Sequence, residues 1–206
     1  MIELLACSLG RNDETPNIEL AEKLCSSEDK NGILEIVNGL NSEDPAVTND
    51  CIKVLYEVGN RNPSLISDYA DVFIDSLSSK NNRLVWGCMT ALASVVSVNP
   101  NPIYHRLPEL IKAYENGSVI TIDNSVSVFA WLCEANKKYQ SVVFPILINH
   151  LTKCRAKEIP QHAERMAVCI DSENKDLFIK ALYAREIELT DSQKNRLSKL
   201  VKKIQT

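Results

Sequence analysis

Apolar residues in this chain recur at i, i+3, i+4 and i+7, the spacing that lines one face of an α-helix. The set returns every 37 residues. Ile33, Ile36, Val37 and Leu40 are followed by Ala70, Phe73, Ile74 and Leu77, then Leu107, Leu110, Ile111 and Tyr114, then Phe144, Leu147, Ile148 and Leu151. All sixteen positions are apolar or aromatic, with no shift of register. A second helix follows each of these and repeats as well. Val54, Leu55 and Val58 map onto Ala91, Leu92 and Val95, then onto Val128, Phe129 and Leu132, and more weakly onto Arg165, Met166 and Cys169. The slot of Cys51 becomes Cys88, Ser125 and His162, small in three copies of four.

Punctuation keeps the same period. Asn62-Pro63 returns as Asn99-Pro100, with Asn136 at the next step. A proline after Asn cannot continue the preceding helix, so each Asn marks a boundary. Pro108 and Pro145 are also 37 apart, and the pattern places both in first turns, where a missing N–H is tolerated. The ends are altered copies. Residues 2–9 and 17–26 are helical candidates around Gly10-Arg11-Asn12-Asp13. Phe178, Ala181 and Leu182 fit a first helix after a three-residue deletion. Leu189–Ile204 reads as a basic amphipathic helix capped by Thr190 or Asp191. The expectation is one all-α domain over 1–206: capping helices in 1–30, four 37-residue repeats in 31–171 and a divergent repeat or cap in 172–206.

Composition sharpens this picture. Only six glycines occur in 206 residues, which disfavours turn-rich sandwiches and barrels. The net charge of −4 argues against a dedicated nucleic-acid binder, whose footprint is a basic excess. No apolar run approaches the roughly 18 residues a membrane span needs, and Met1–Cys7 lacks the basic start of a signal peptide. The seven cysteines (Cys7, Cys25, Cys51, Cys88, Cys133, Cys154 and Cys169) never form Cys-x-x-Cys. They read as small core residues kept reduced in a cytoplasm.

The second helices resemble the HEAT-repeat pattern, in which an acidic or amide residue precedes a branched apolar residue by three. A small residue follows four later, and then an apolar pair. Here these are Asp44, Val47, Cys51 and Val54-Leu55, then Asn81, Leu84, Cys88 and Ala91-Leu92. Residues 31–171 carry the resemblance. The Arg usual after the branched residue is replaced by Thr48, Val85 and Ile122, so the Asp–Arg ladder between repeats should be missing. The resemblance implies a right-handed α-α superhelix of about five helix pairs with atypical terminal helices. First helices would lie on its convex side and second helices would line a concave groove. Neither helix of a pair can bury its apolar stripe alone, so stacked neighbours must supply the core.

Extended concave surfaces of this kind bind partners, and the favoured expectation is a non-catalytic scaffold holding a protein or peptide. Non-core positions of the second helices nominate Lys53, Arg83, Trp86, Asp123, Asn124 and Ser127 as groove residues. Trp86 stands in a column otherwise held by Asn49, Asp123 and Pro160. Gly87 beside it costs about 1 kcal/mol in a helix relative to Ala, which implies a close packing partner or ligand. The bland reading is that Trp86 fills space between helices 84–98 and 119–133, and Trp131 reads as core. The three histidines, His105, His150 and His162, share no metal-ligand spacing and read as solvated or helix-end residues. Basic residues crowd the last third, from Lys153 to Lys203, usually the mark of a solvated face.

The sequence contains no Gly-rich phosphate loop, nucleophile elbow or metal box. It therefore nominates no catalytic residue, metal ligand or cofactor. One enzymatic alternative rests on resemblance alone. A family of bacterial DNA glycosylases that excise alkylated bases is built on HEAT-like repeats with concave-face Trp and Asp, which Trp86 and Asp123 superficially match. The acidic balance and the lack of an Arg/Lys-rich column weigh against it. A monomer or weak dimer is expected, the apolar first ten residues being available for pairing.

Overall fold

The computed structural model describes residues 1–205, and every regular element among them is helical. The α-helices are α1 (Thr15–Ser27), α2 (Lys30–Asn38), α3 (Pro45–Arg61), α4 (Ala70–Ser76), α5 (Asn82–Val95), α6 (Pro100–His105), α7 (Leu107–Asn116), α8 (Val119–Ala135), α9 (Lys137–Lys153), α10 (Ile159–Met166), α11 (Lys175–Tyr183) and α12 (Asp191–Gln205). The chain divides into two compact units, 1–125 and 126–206, with the boundary falling inside the α8 segment.

In the first unit α2, α3 and α5 start where a short polar side chain satisfies open N–H groups. Asp29 accepts from Gly32 N–H at 2.9 Å to open α2, and Asp44 accepts from Ala46 N–H at 2.8 Å to open α3. Asn81 accepts from the N–H groups of Arg83 and Leu84 to open α5. Its amide also donates to Thr48 Oγ1 at 3.3 Å and Asn49 Oδ1 at 2.9 Å on α3. In place of the Asp–Arg ladder, which the sequence leads one to expect missing, this junction carries an Asn–Thr/Asn link that uses the Thr48 standing in the Arg position.

The second helices α1, α3 and α5 pack side by side, with α2 and α4 behind them. Gly87 explains itself here. A Cβ at this position would lie 2.7 Å from Ile52 Cγ1 and 2.9 Å from Cγ2, so its absence lets α5 close onto α3. Gly59 does the same in reverse, beneath Ser94 of α5. The apolar columns fill the interior: Ile36, Phe73 and Leu110, 37 residues apart, are fully buried. Ile111 and Tyr114 reach only partial burial. At the N-terminus only Ile2–Leu4 forms a 3-10 turn, where a helix over 2–9 was expected. Leu5 and Ala6 are buried in this chain's own core, which removes them from any pairing surface.

In the second unit α9 and α10 pack together, α11 lies on α9, and α12 lies on α10. Leu147, Phe178 and Leu182 are buried as the periodicity requires, while Ile148 is half-buried. Pro145 departs from expectation, lying inside α9 and not in a first turn. The equivalent stretch breaks at Arg106 between α6 and α7, whereas the Asn136 cap starts one unbroken helix over Lys137–Lys153. Pro145 then forgoes one intrahelical hydrogen bond, with its ring exposed. Trp131 is 37% exposed, contrary to its reading as core. The buried stripe of α8 runs through Val128, Phe129, Leu132 and Cys133, and Trp131 shares the opposite stripe with Ser127 and Glu134. At α12, Gln193 N–H reaches the Thr190 hydroxyl and the Gln193 side chain accepts from Thr190 N–H at 2.9 Å, a reciprocal cap.

Asp171 ties α9 to the start of α11. It accepts from Lys137 Nζ at 2.7 Å, from Gln140 at 3.1 Å and from the N–H groups of Glu173 and Asn174. The Lys137 hydrogen bond is the largest of the influences that bring its carboxyl from 3.8 down to about 2. A depressed carboxyl stabilises the fold above its unfolded value, and that contribution disappears as pH falls from 3.8 to about 2. Because the pair is solvent-screened, Asp171→Asn should cost no more than about 1 kcal/mol at neutral pH. The cost should shrink as pH falls towards about 3, as paired urea titrations across that range would measure.

Candidate functional site

The nominated residues of the first unit converge through partners that lie outside the repeat pattern. Lys53, on α3, is only 7% exposed. Its ammonium sits 2.9 Å from Glu14 Oε2 and 2.9 Å from Glu57 Oε1, and 4.9 Å from the centre of the Tyr56 ring. Burial by itself would lower this ammonium's pKa, but the hydrogen bonds to Glu57 and Glu14 outweigh burial and raise it. Arg83, on α5, donates to the other Glu14 oxygen at 2.6 Å. Arg61 continues the line by bridging Glu57 and Glu22. The face is a ladder of alternating charge, Arg83, Glu14, Lys53, Glu57, Arg61 and Glu22, running across α5, α3 and α1.

Trp86, half-buried and one turn beyond Arg83 on α5, has its ring tilted on Tyr56 with centroids 5.9 Å apart. It therefore packs on α3, where helices 84–98 and 119–133 had been expected to enclose it. Asn124 donates to Thr90 Oγ1 at 2.8 Å, and Thr90 donates to the Trp86 carbonyl at 2.8 Å, so α8 is tied to the turn that carries Trp86. Asp123, half-buried, precedes Asn124 on the same helix. Ser127 belongs to the second unit, where it accepts from Arg165 at 2.5 Å. Glu14 was invisible in the sequence because the N-terminal segment has no repeat equivalent. Tyr56 was not: its column continues as Ala93, Ala130 and Ala167, so a large aromatic there is out of pattern.

The histidines require a correction. His105 is exposed, but His150 and His162 are buried and hydrogen-bonded to each other, Nε2 to Nδ1, at 2.7 Å. His162 occupies the slot of Cys51, Cys88 and Ser125, all fully buried, so its register already pointed inward. Cys154 lies beside the pair, its sulfur grouped with the two ring nitrogens. The cysteines fit the expected core placement in four cases, Cys51, Cys88, Cys133 and Cys169, while Cys7, Cys25 and Cys154 are half-buried. Burial pushes the Cys51 and Cys88 thiols up to about 12. No helix among the described residues is long and apolar enough to cross a membrane.

No family model and no curated relative matches the chain. Solved structures do. An engineered protein from the Northeast Structural Genomics Consortium is 16% identical over 99% of this chain and 96% of its own, with a TM-score of 0.67. Kap121p bound to Pho4p is 16% identical over 92% of this chain, with a TM-score of 0.65, and the match spans about a fifth (21%) of Kap121p. A designed armadillo repeat protein in complex with the peptide (KR)4 is 14% identical over 92% of this chain and 91% of its own, with a TM-score of 0.62. The 37-residue period, the paired helices and these likenesses give the chain the fold of a HEAT-like helical-repeat solenoid.

Proposed function

We propose that this protein is a non-catalytic binding scaffold whose second-helix face in the first unit holds a protein or peptide segment. The observation that carries the reading is Trp86, a half-buried indole set among charges already paired within the fold. An aromatic anchor with a fixed polar surround is the anatomy of an interaction hot spot. Side chains locked by Glu14, Tyr56 and Thr90 lose little conformational freedom when a partner arrives. Two solenoids of similar fold were solved with such ligands, Pho4p on Kap121p and (KR)4 on the armadillo design.

The DNA glycosylase alternative gains no support from this face. A phosphate-binding groove needs cations free to displace counterions. Here Lys53, Arg61 and Arg83 are engaged by Glu14, Glu57 and Glu22.

The test is affinity capture with three forms: wild type, Trp86→Ala/Asp123→Ala, and Leu34→Ala, an exposed position on α2. Leu34→Ala should retain the wild-type partner and the double variant should lose it while keeping the wild-type circular dichroism spectrum. Full retention by the double variant would overturn the assignment. So would tight binding of alkylated duplex DNA that weakens steeply with salt.

A further inference from the structure

Positions 39 and 51 face each other in the first repeat, since a Cβ on Gly39 would collide with the Cys51 sulfur. Their equivalents at 37-residue steps are Ser76 and Cys88, within hydrogen-bonding reach of each other, then Ala113 and Ser125, then His150 and His162. Three junctions are closed by small side chains. The fourth holds two buried imidazoles, their ring centres 4.7 Å apart.

Cys154 follows His150 by one helical turn, its N–H donating to the His150 carbonyl at 2.8 Å, so the two side chains share a face at the end of α9. His162 enters from α10. The Nε2 or Nδ1 atoms of the two rings and the Cys154 Sγ all lie within 4.8 Å of one another. Arg185 holds this end of α9 in place, donating to the carbonyls of Leu151 at 3.1 Å and Cys154 at 2.7 Å. Glu158, paired with Arg155, lies near both Cys154 and His162.

We propose that His150, Cys154 and His162 form a binding site for a zinc-class divalent ion, independent of the binding face in the first unit. Two imidazoles and one thiolate are the borderline-soft donors that zinc takes in tetrahedral geometry. Around such an ion, donors stand roughly 3.3–3.7 Å apart, as follows from metal–ligand bonds of about 2.0–2.3 Å. The ring nitrogens need to part by only about half an ångström from their present hydrogen bond to reach that spacing. The Cys154 thiol gives up its proton to solvent, and the proton between the rings moves to the outer nitrogen of the ring that carries it. Three protein donors leave a fourth position for water or an exogenous ligand.

The test is titration of the full chain, purified reduced and freed of metal by chelation, with cobalt(II) and then zinc(II). One cobalt per chain should give a thiolate-to-metal charge-transfer band with intense tetrahedral d–d absorption, both lost when zinc is added. Cys154→Ser should abolish the charge-transfer band and Cys25→Ser should leave it intact. Zinc should also slow alkylation of Cys154 in the wild-type chain without changing that of Cys25, a readout that needs no variant. Absence of a charge-transfer band in the folded wild type, or its survival in Cys154→Ser, would overturn the site and leave a hydrogen-bonded histidine pair only.

Discussion

Phe73→Ala is expected to lower unfolding free energy by about 3–5 kcal/mol, a large part of a typical domain's margin. Phe73 is fully buried on α4, at the position that Ile36, Leu110 and Leu147 occupy in the other repeats. Removing the ring forfeits its transfer free energy and opens a cavity that stacked helices can only partly collapse. Leu34→Ala offers the matched control. Leu34 neighbours the α2 stripe but stays 44% exposed, so its loss should cost well under about 1 kcal/mol. Urea unfolding of the two variants reads the difference directly. Equal costs would mean that the 37-residue register does not decide which residues are interior.

Gly87→Ala is expected to destabilise although alanine is the better helix former. The propensity gain is about 1 kcal/mol. Against it stands a Cβ forced to within 2.9 Å of both Ile52 Cγ1 and Cγ2, atoms that a β-branched side chain packed in a core cannot withdraw. Overpacking of this kind costs about 1–3 kcal/mol, so the clash exceeds the propensity gain. The cause is separable. Ile52→Ala alone should cost about 2–4 kcal/mol, because Ile52 is 1% exposed. In the Ile52→Ala background, Gly87→Ala should become neutral or stabilising, a coupling of at least about 1 kcal/mol in a double-mutant cycle. Additive effects would show that α3 and α5 are not held together at this crossing.

The helices and their interior faces were legible because a period of 37 makes each position testable in four copies. The Phe73 column and the Cys51 column were readable for this reason, although His162, in the Cys51 column, was read as solvated and is buried. Legibility failed where a residue was read from its own chemistry or by analogy and not from its column or its helix. Trp131 was assigned to the core on its chemistry, yet its angular position on α8 puts it outward. Pro145 was placed in a first turn by analogy with Pro108, but nothing before it stops α9 from starting at Asn136. The face around Trp86 was half legible. Lys53, Arg83 and Trp86 followed from the non-core positions of α3 and α5, whereas Glu14, which joins two of them, lies in a segment with no repeat equivalent. The His150–His162 meeting was hidden because 12 residues of separation match no common ligand spacing. Comparing both slots with their small counterparts exposes it.

The claim beneath all of this is that successive helix pairs bury the same register positions, and site-resolved thiol labelling of the native chain tests it most directly. Cys51 and Cys88, one repeat apart and fully enclosed, should resist alkylation until the chain unfolds, while Cys7 and Cys25 react under native conditions. Cys51 and Cys88 modified as readily as Cys7 and Cys25 in the folded protein would contradict the account.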